Sequence, residues 1–155
     1  MNYRIEERES FDVVVKVKTI EAEEGNSTQI PAFWNEYFTA GLEKKVAPVL
    51  GVCAEMSPDS KEFRYGIGDF KRDEQEIPEG FETWQAPEST WVVFTCVGAM
   101  PNAIQEMWKR IYSEWLPQAE YELVSTIIDF ELYTKGDTSS PDYVSEIWLP
   151  VKKKQ

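Results

Sequence analysis

A chain of 155 residues has the length of one domain with a real hydrophobic core. Its 16 basic and 28 acidic residues leave a formal charge of −12, with no histidine. That balance excludes a duplex-binding surface, which needs Lys and Arg to replace counterions along phosphates, and it repels an anionic membrane. Without histidine there is no Ser-His-Asp or Cys-His nucleophile system and no His-based zinc site. No phosphate-cradling glycine motif occurs, so no cofactor and no metal are expected. Aromatic residues make up 14% of the chain (six Trp, seven Tyr and eight Phe), a supply fit for a core and for clefts that hold flat ligands.

Met1–Ser10 is charged throughout and reads neither as a signal peptide nor as a spanning segment, so a cytoplasmic location is expected. Phe11–Ile20 is a β-branched run and reads as a strand. Glu21–Thr28 reads as a loop, and Asn26, Ser27 or Thr28 could cap a helix that carries Pro31 in its first turn. Phe33, Trp34, Tyr37, Phe38 and Leu42 form one stripe of that helix. Pro48–Glu55 and Phe63–Phe70 read as strands joined by a turn at Ser57–Ser60, and Lys71–Gly80 as a charged loop. Within that loop Asp73–Glu76 is a solvated acidic stretch.

Phe81–Gln85 is a possible strand, and Trp91–Val97 is the clearest one in the chain. Gly98 closes it, and Pro101 opens a second helix that stops at Pro117. Ile104, Met107, Trp108, Ile111, Tyr112 and Trp115 are its stripe. Trp34, Trp108 and Trp115 therefore read as core. Thr126–Thr134 and Tyr143–Val151 are the last two strands. Cys53 and Cys96 each sit in an apolar strand and read as reduced, buried thiols.

The order repeats: strand, helix, strand, strand, twice. The helices align at a constant offset of 74, pairing Phe33 with Met107, Trp34 with Trp108, Tyr37 with Ile111 and Phe38 with Tyr112. One such unit cannot bury its own apolar face, so two side by side are expected. This predicts a single α+β domain over 1–155, with pseudo-repeats at about 1–72 and 81–155.

Trp91–Glu122 (WVVFTCVGAMPNAIQEMWKRIYSEWLPQAEYE), with DFELYT at Asp129–Thr134 and SEIWLPVKK at Ser145–Lys153, resembles the second half of the gyrase-inhibitor-like (GyrI-like) effector-binding domains. Such domains are also the C-terminal ligand sensors of AraC-type and MerR-type regulators. The resemblance implies two pseudo-symmetric β-α-β-β repeats, an antiparallel sheet with both helices on one face, and a ligand cleft on the other. It also implies a free-standing sensor or sequestering module, since no helix-turn-helix precedes Tyr3, that takes amphipathic and often cationic compounds.

Alternation along the strands suggests which residues line that cleft. If Ile147, Leu149 and Val151 pack on the helices, Glu146 and Trp148 share the opposite face. If Phe130 and Leu132 do the same, Glu131 and Tyr133 join them there. Two carboxylates and two rings on one surface suit a flat organic cation. In the family an acidic residue followed two places later by an aromatic lines the cavity, and Glu146 and Trp148 match that spacing, although Tyr is the usual partner. The alternative is an ordinary solvated sheet face, or rings that cover a dimer interface. Trp91 and Tyr65 are further candidates for the cleft.

Three functions are open at this point. The first is a binding module for a cationic aromatic drug or toxin, working as a homodimer or beside a separate regulator protein and without direct contact to nucleic acid. The second, implied by the resemblance, is hydrolysis of strained cyclopropane-bearing toxins, with Glu146 or Glu131 as base and Tyr133 as hydroxyl donor. The third is inhibition of a protein through an acidic surface.

Overall fold

A computed structural model describes residues 1–21, 28–55 and 61–155. The turn expected at Ser57–Ser60, most of the Glu21–Thr28 loop and the caps Asn26 and Ser27 lie outside the described residues. The chain forms β1 (Tyr3–Arg8), β2 (Phe11–Glu21), α1 (Ile30–Thr39), β3 (Leu50–Glu55), β4 (Glu62–Phe70), β5 (Glu82–Ala86) and β6 (Ser89–Val97). Then come α2 (Asn102–Arg110), β7 (Tyr121–Leu123), β8 (Asp129–Tyr133) and β9 (Val144–Lys153). Helix α2 runs on through a π-helical turn at Ile111–Trp115 and a 3-10 turn at Leu116–Gln118. Helix α1 is preceded by Gln29 with no side-chain cap, and Pro31 sits in its first turn, where a missing N–H costs nothing.

The nine strands among the described residues join one antiparallel sheet in the order β1-β6-β9-β8-β3-β4-β2-β5, with β7 on β9. The eight-strand path is a palindrome of the two repeats. Strands β2, β3 and β4 of the first half mirror β6, β8 and β9 of the second about the central β3–β8 pair. The edge strands are exchanged: β5, from the sequence of the second repeat, pairs with β2 of the first, and β1, from the sequence of the first, pairs with β6 of the second. Neither β1 nor β7 is legible as a strand in the sequence. In YRIEER charges fill the positions that a half-buried strand would give to apolar residues, as suits a sheet edge.

The sheet curls into a half-barrel with buried side chains on both faces. On one face α2 covers Val92, Phe94, Ile147 and Leu149, while α1 covers Val14, Tyr65 and Ile67. On the other, Val13, Val15, Leu50, Val52, Trp91, Phe130 and Trp148 fill the inside of the curl. Phe130 stacks on Trp148 with ring planes 14° apart, and Trp91 meets both rings edge-on or tilted. Burying each such side chain stabilises the fold by ~1.5–3 kcal/mol.

This double burial corrects one expectation. Residues paired across an antiparallel ladder share a face. Phe130 pairs with Trp148, and Leu132 with Glu146; Glu131 pairs with Ile147, and Tyr133 with Ser145. Phe130 and Leu132 therefore point into the curl, and Glu131 and Tyr133 point toward the helices. An apolar row does not identify the helix side when the opposite side is equally apolar.

Candidate functional site

The two Glu-x-aromatic pairs consequently lie on opposite faces. Glu146 and Trp148 face away from the helices. Trp148 is 4% exposed and donates its indole N–H to Glu146 at 3.0 Å. Arg4 closes on the same carboxylate at 3.1 Å and lies 5.7 Å from the Trp148 ring centroid. Arg8 lies over Trp148, Phe11 and Phe70. The expected pattern of carboxylate, ring and cation is present here, but the chain supplies the cation from its own β1. Trp91 is fully buried in the same interior and reaches no open surface.

The second pair stands where the halves meet, on the helix side. Central strands β3 and β8 place Gly51 opposite Glu131, and β4 brings Tyr65 alongside. A Cβ at position 51 would lie 2.2 Å from the Tyr65 hydroxyl, so glycine there makes room for that hydroxyl. Helix α1 contributes Trp34, which donates its indole N–H to Tyr65 Oη at 2.9 Å and meets the Tyr133 ring edge-on at 5.2 Å. Helix α2 contributes Trp108, which donates to Glu131 Oε2 at 2.6 Å. Tyr133 donates its hydroxyl proton to Glu131 Oε1. Both tryptophans are partly buried and pack against the core on the helix side, in keeping with their stripe positions, and Trp115, at 7% exposure, is core.

Two donors converge on the carboxylate, Trp108 on Oε2 and Tyr133 on Oε1, while Tyr65 accepts from Trp34 beside them. Burial pushes both phenols well above their ordinary range, with Glu131 adding to the shift, so they stay protonated. Burial also raises the Glu131 carboxyl, against the opposing effect of the Tyr133 and Trp108 hydrogen bonds. Among the described residues no basic side chain pairs with Glu131. The site is thus a partly buried carboxylate beside four aromatic side chains, without a basic partner among the described residues.

Other features carry less chemistry. A groove of about 540 Å³ beside Arg8, Glu88 and Val151 contains no such buried polar group. Cys96 is buried and its thiol is pushed up to about 11, chiefly by desolvation; Cys53 is partly buried, and neither is in a disulfide. Among the described residues no cluster of acidic, Cys or His side chains could hold a metal, and no helix is long and apolar enough to cross a membrane.

Several proteins share this fold. The structure of SAV2435 bound to tetraphenylphosphonium is 26% identical, covers 98% of this chain and 94% of that one, and superposes with a TM-score of 0.86. Integron cassette protein VCH_CASS2, from the mobile metagenome of Vibrio cholerae, is 18% identical over 97% of this chain and 95% of its own, with a TM-score of 0.71. Transcriptional regulator BrlR of Pseudomonas aeruginosa is 29% identical over 103 residues, which are 65% of this chain. The match takes in only 37% of that regulator's length. The family model described as "Cass2: Integron-associated effector binding protein" matches residues 4–151, and the chain belongs to that family of GyrI-like effector-binding domains.

Proposed function

We propose that this domain binds an amphipathic organic monocation between α1 and α2, with Glu131 as the counter-charge and Trp34, Trp108, Tyr65 and Tyr133 as its aromatic surround. The observation that carries the reading is the Glu131 carboxylate, desolvated, fed by donors from both helices' side of the sheet, and without a basic partner among the described residues. A partly buried anion of this kind is costly, and a bound cation offsets the cost. Aromatic faces add cation–π attraction worth ~0.5–2 kcal/mol. The net charge of −12 draws cations toward the domain at long range. The relative with tetraphenylphosphonium bound supports the same class of ligand.

The test is calorimetric titration with tetraphenylphosphonium and with neutral triphenylphosphine oxide. Glu131→Gln should weaken the cation by about tenfold or more and leave the neutral compound within a factor of about two. Equal effects on both would remove Glu131 as the counter-charge.

Hydrolysis would draw on the same pair, since Tyr133 bonds directly to Glu131. Glu131 would take a proton from water while Tyr133 donates to the leaving group. Loss of turnover with retained binding in Tyr133→Phe would support that second reading.

A further inference from the structure

Each helix carries a second ring one turn beyond its cleft tryptophan. Phe38 follows Trp34 by four residues and Tyr112 follows Trp108 by four, so each lies on the cleft flank of its helix, beside the buried stripe. On α1 that stripe is Phe33 and Tyr37; on α2 it is Ile104, Met107 and Ile111. The two outer rings are related by the same offset of 74 that relates the tryptophans. They are 51% and 53% exposed, whereas their inner neighbours are largely covered. Tyr112 lies in the π-helical turn and stacks on Trp108 with planes 18° apart, extending that wall outward. Phe38 touches the buried Tyr37 edge-on and leaves the rest of its ring in solvent.

Each ring leaves about half of its surface in solvent, and the two occupy equivalent places on the two helices. The cleft therefore has two tiers. The inner tier is Trp34 and Trp108 around Glu131, fit to hold the charge. The outer tier is Phe38 and Tyr112, further from the carboxylate and on both walls.

We infer that Phe38 and Tyr112 form a specificity-determining rim that selects cations with several aromatic groups splayed around the charge over flat cations. A flat ring system fills the inner tier alone. A tetrahedral arylonium sends rings outward past the tryptophans, where the rim covers them. This rests on the reading of Glu131 as the counter-charge.

The experiment compares tetraphenylphosphonium with flat 9-aminoacridinium by calorimetry on the wild-type chain, Phe38→Ala/Tyr112→Ala and Glu131→Gln. Both rim positions are exposed, so the double variant should keep its thermal midpoint, which is measured alongside. The expected result is a loss of about tenfold or more for tetraphenylphosphonium and less than about threefold for the acridinium. Equal losses for both cations, or no loss for either, overturn the rim. If the rim variant behaves as expected while Glu131→Gln changes neither affinity, the counter-charge reading fails and the rim stands. If the wild-type chain binds neither cation, both fail.

Discussion

Gly51 and Glu131 face each other across the β3–β8 register, and the space that a side chain on Gly51 would need is filled by the Tyr65 hydroxyl. The two halves thus put different groups at equivalent places: a carboxylate on β8, and on β3 a bare backbone roofed by a phenol. The asymmetry gives a pseudo-symmetric domain one anionic pole instead of two. Gly51→Ala would force its Cβ to within 2.2 Å of Tyr65 Oη, and Tyr65 is 2% exposed and cannot swing clear. We expect a loss of ~1–3 kcal/mol in urea unfolding. Tyr65→Phe alone should cost ~1 kcal/mol through the Trp34 bond. The double variant should cost less than the sum, because the atom that collides is the one removed. Strict additivity would show that the contact is relieved elsewhere.

Glu131 titrates above its unfolded-state value, chiefly through desolvation, so the folded state holds its proton more tightly. Below the unfolded value both states are protonated and no penalty exists. The penalty builds as pH rises from there through the folded value and is constant beyond it. The stability of the wild-type chain relative to Glu131→Gln is therefore greatest in acid and shrinks as pH rises. Cation affinity runs the opposite way, since the ligand selects the ionised form. Tetraphenylphosphonium should bind progressively less tightly as pH falls through the Glu131 titration, and Glu131→Gln should abolish that slope. Titrations across mildly acidic pH check both signs; an unchanged slope in the variant would point to another group.

The two glutamates of the Glu-x-aromatic pairs should behave differently. Glu146 is already paired with Arg4 and bonded to Trp148, on the face away from the helices. Its side chain is 18% exposed and that of Arg4 is 46%, so the ion pair contributes less than about 1 kcal/mol. Glu146→Gln should leave tetraphenylphosphonium affinity unchanged, within about twofold, in the same titration in which Glu131→Gln is damaging. The reverse ranking would move the site to the inside of the curl.

Much of this arrangement is legible in the sequence, and the failures have a common cause. Val13–Val15, Trp91–Val97 and the stripe from Ile104 to Trp115 announce their elements because one period dominates each run. The 74-residue offset announces the repeat. What alternation cannot give is the phase of β8, because Phe130 and Leu132 enter one core while Ile147 and Leu149 enter another, and both rows look alike. The same ambiguity hides Trp34 and Trp108. Their stripe positions fit core, and only the convergence of Tyr65 on β4 and Glu131 on β8, two strands far apart in the chain, gives their N–H groups acceptors. The signal that could have found them is the repeat itself, since Trp recurs at the same place in both helices.

Trp91 offers a final test of how the interior of the curl is stabilised. Its indole N–H is buried with no acceptor among the described residues, and the ring packs against Phe11, Phe130 and Trp148. An unsatisfied buried donor costs ~1–3 kcal/mol, while shrinking a fully buried ring leaves a small cavity of similar cost. Trp91→Phe removes the donor and part of the ring together, so the two effects oppose each other and the net change should stay within about 1 kcal/mol. At Trp148, by contrast, the N–H is used by Glu146 and the ring stacks on Phe130, so Trp148→Phe loses a bond as well as volume. It should cost more than Trp91→Phe by ~1.5–4 kcal/mol, the bond lost at Trp148 together with the penalty relieved at Trp91. Urea midpoints of the two variants decide the matter. A larger loss at Trp91 would mean that its N–H has an acceptor after all, and that the interior is better satisfied than this packing implies.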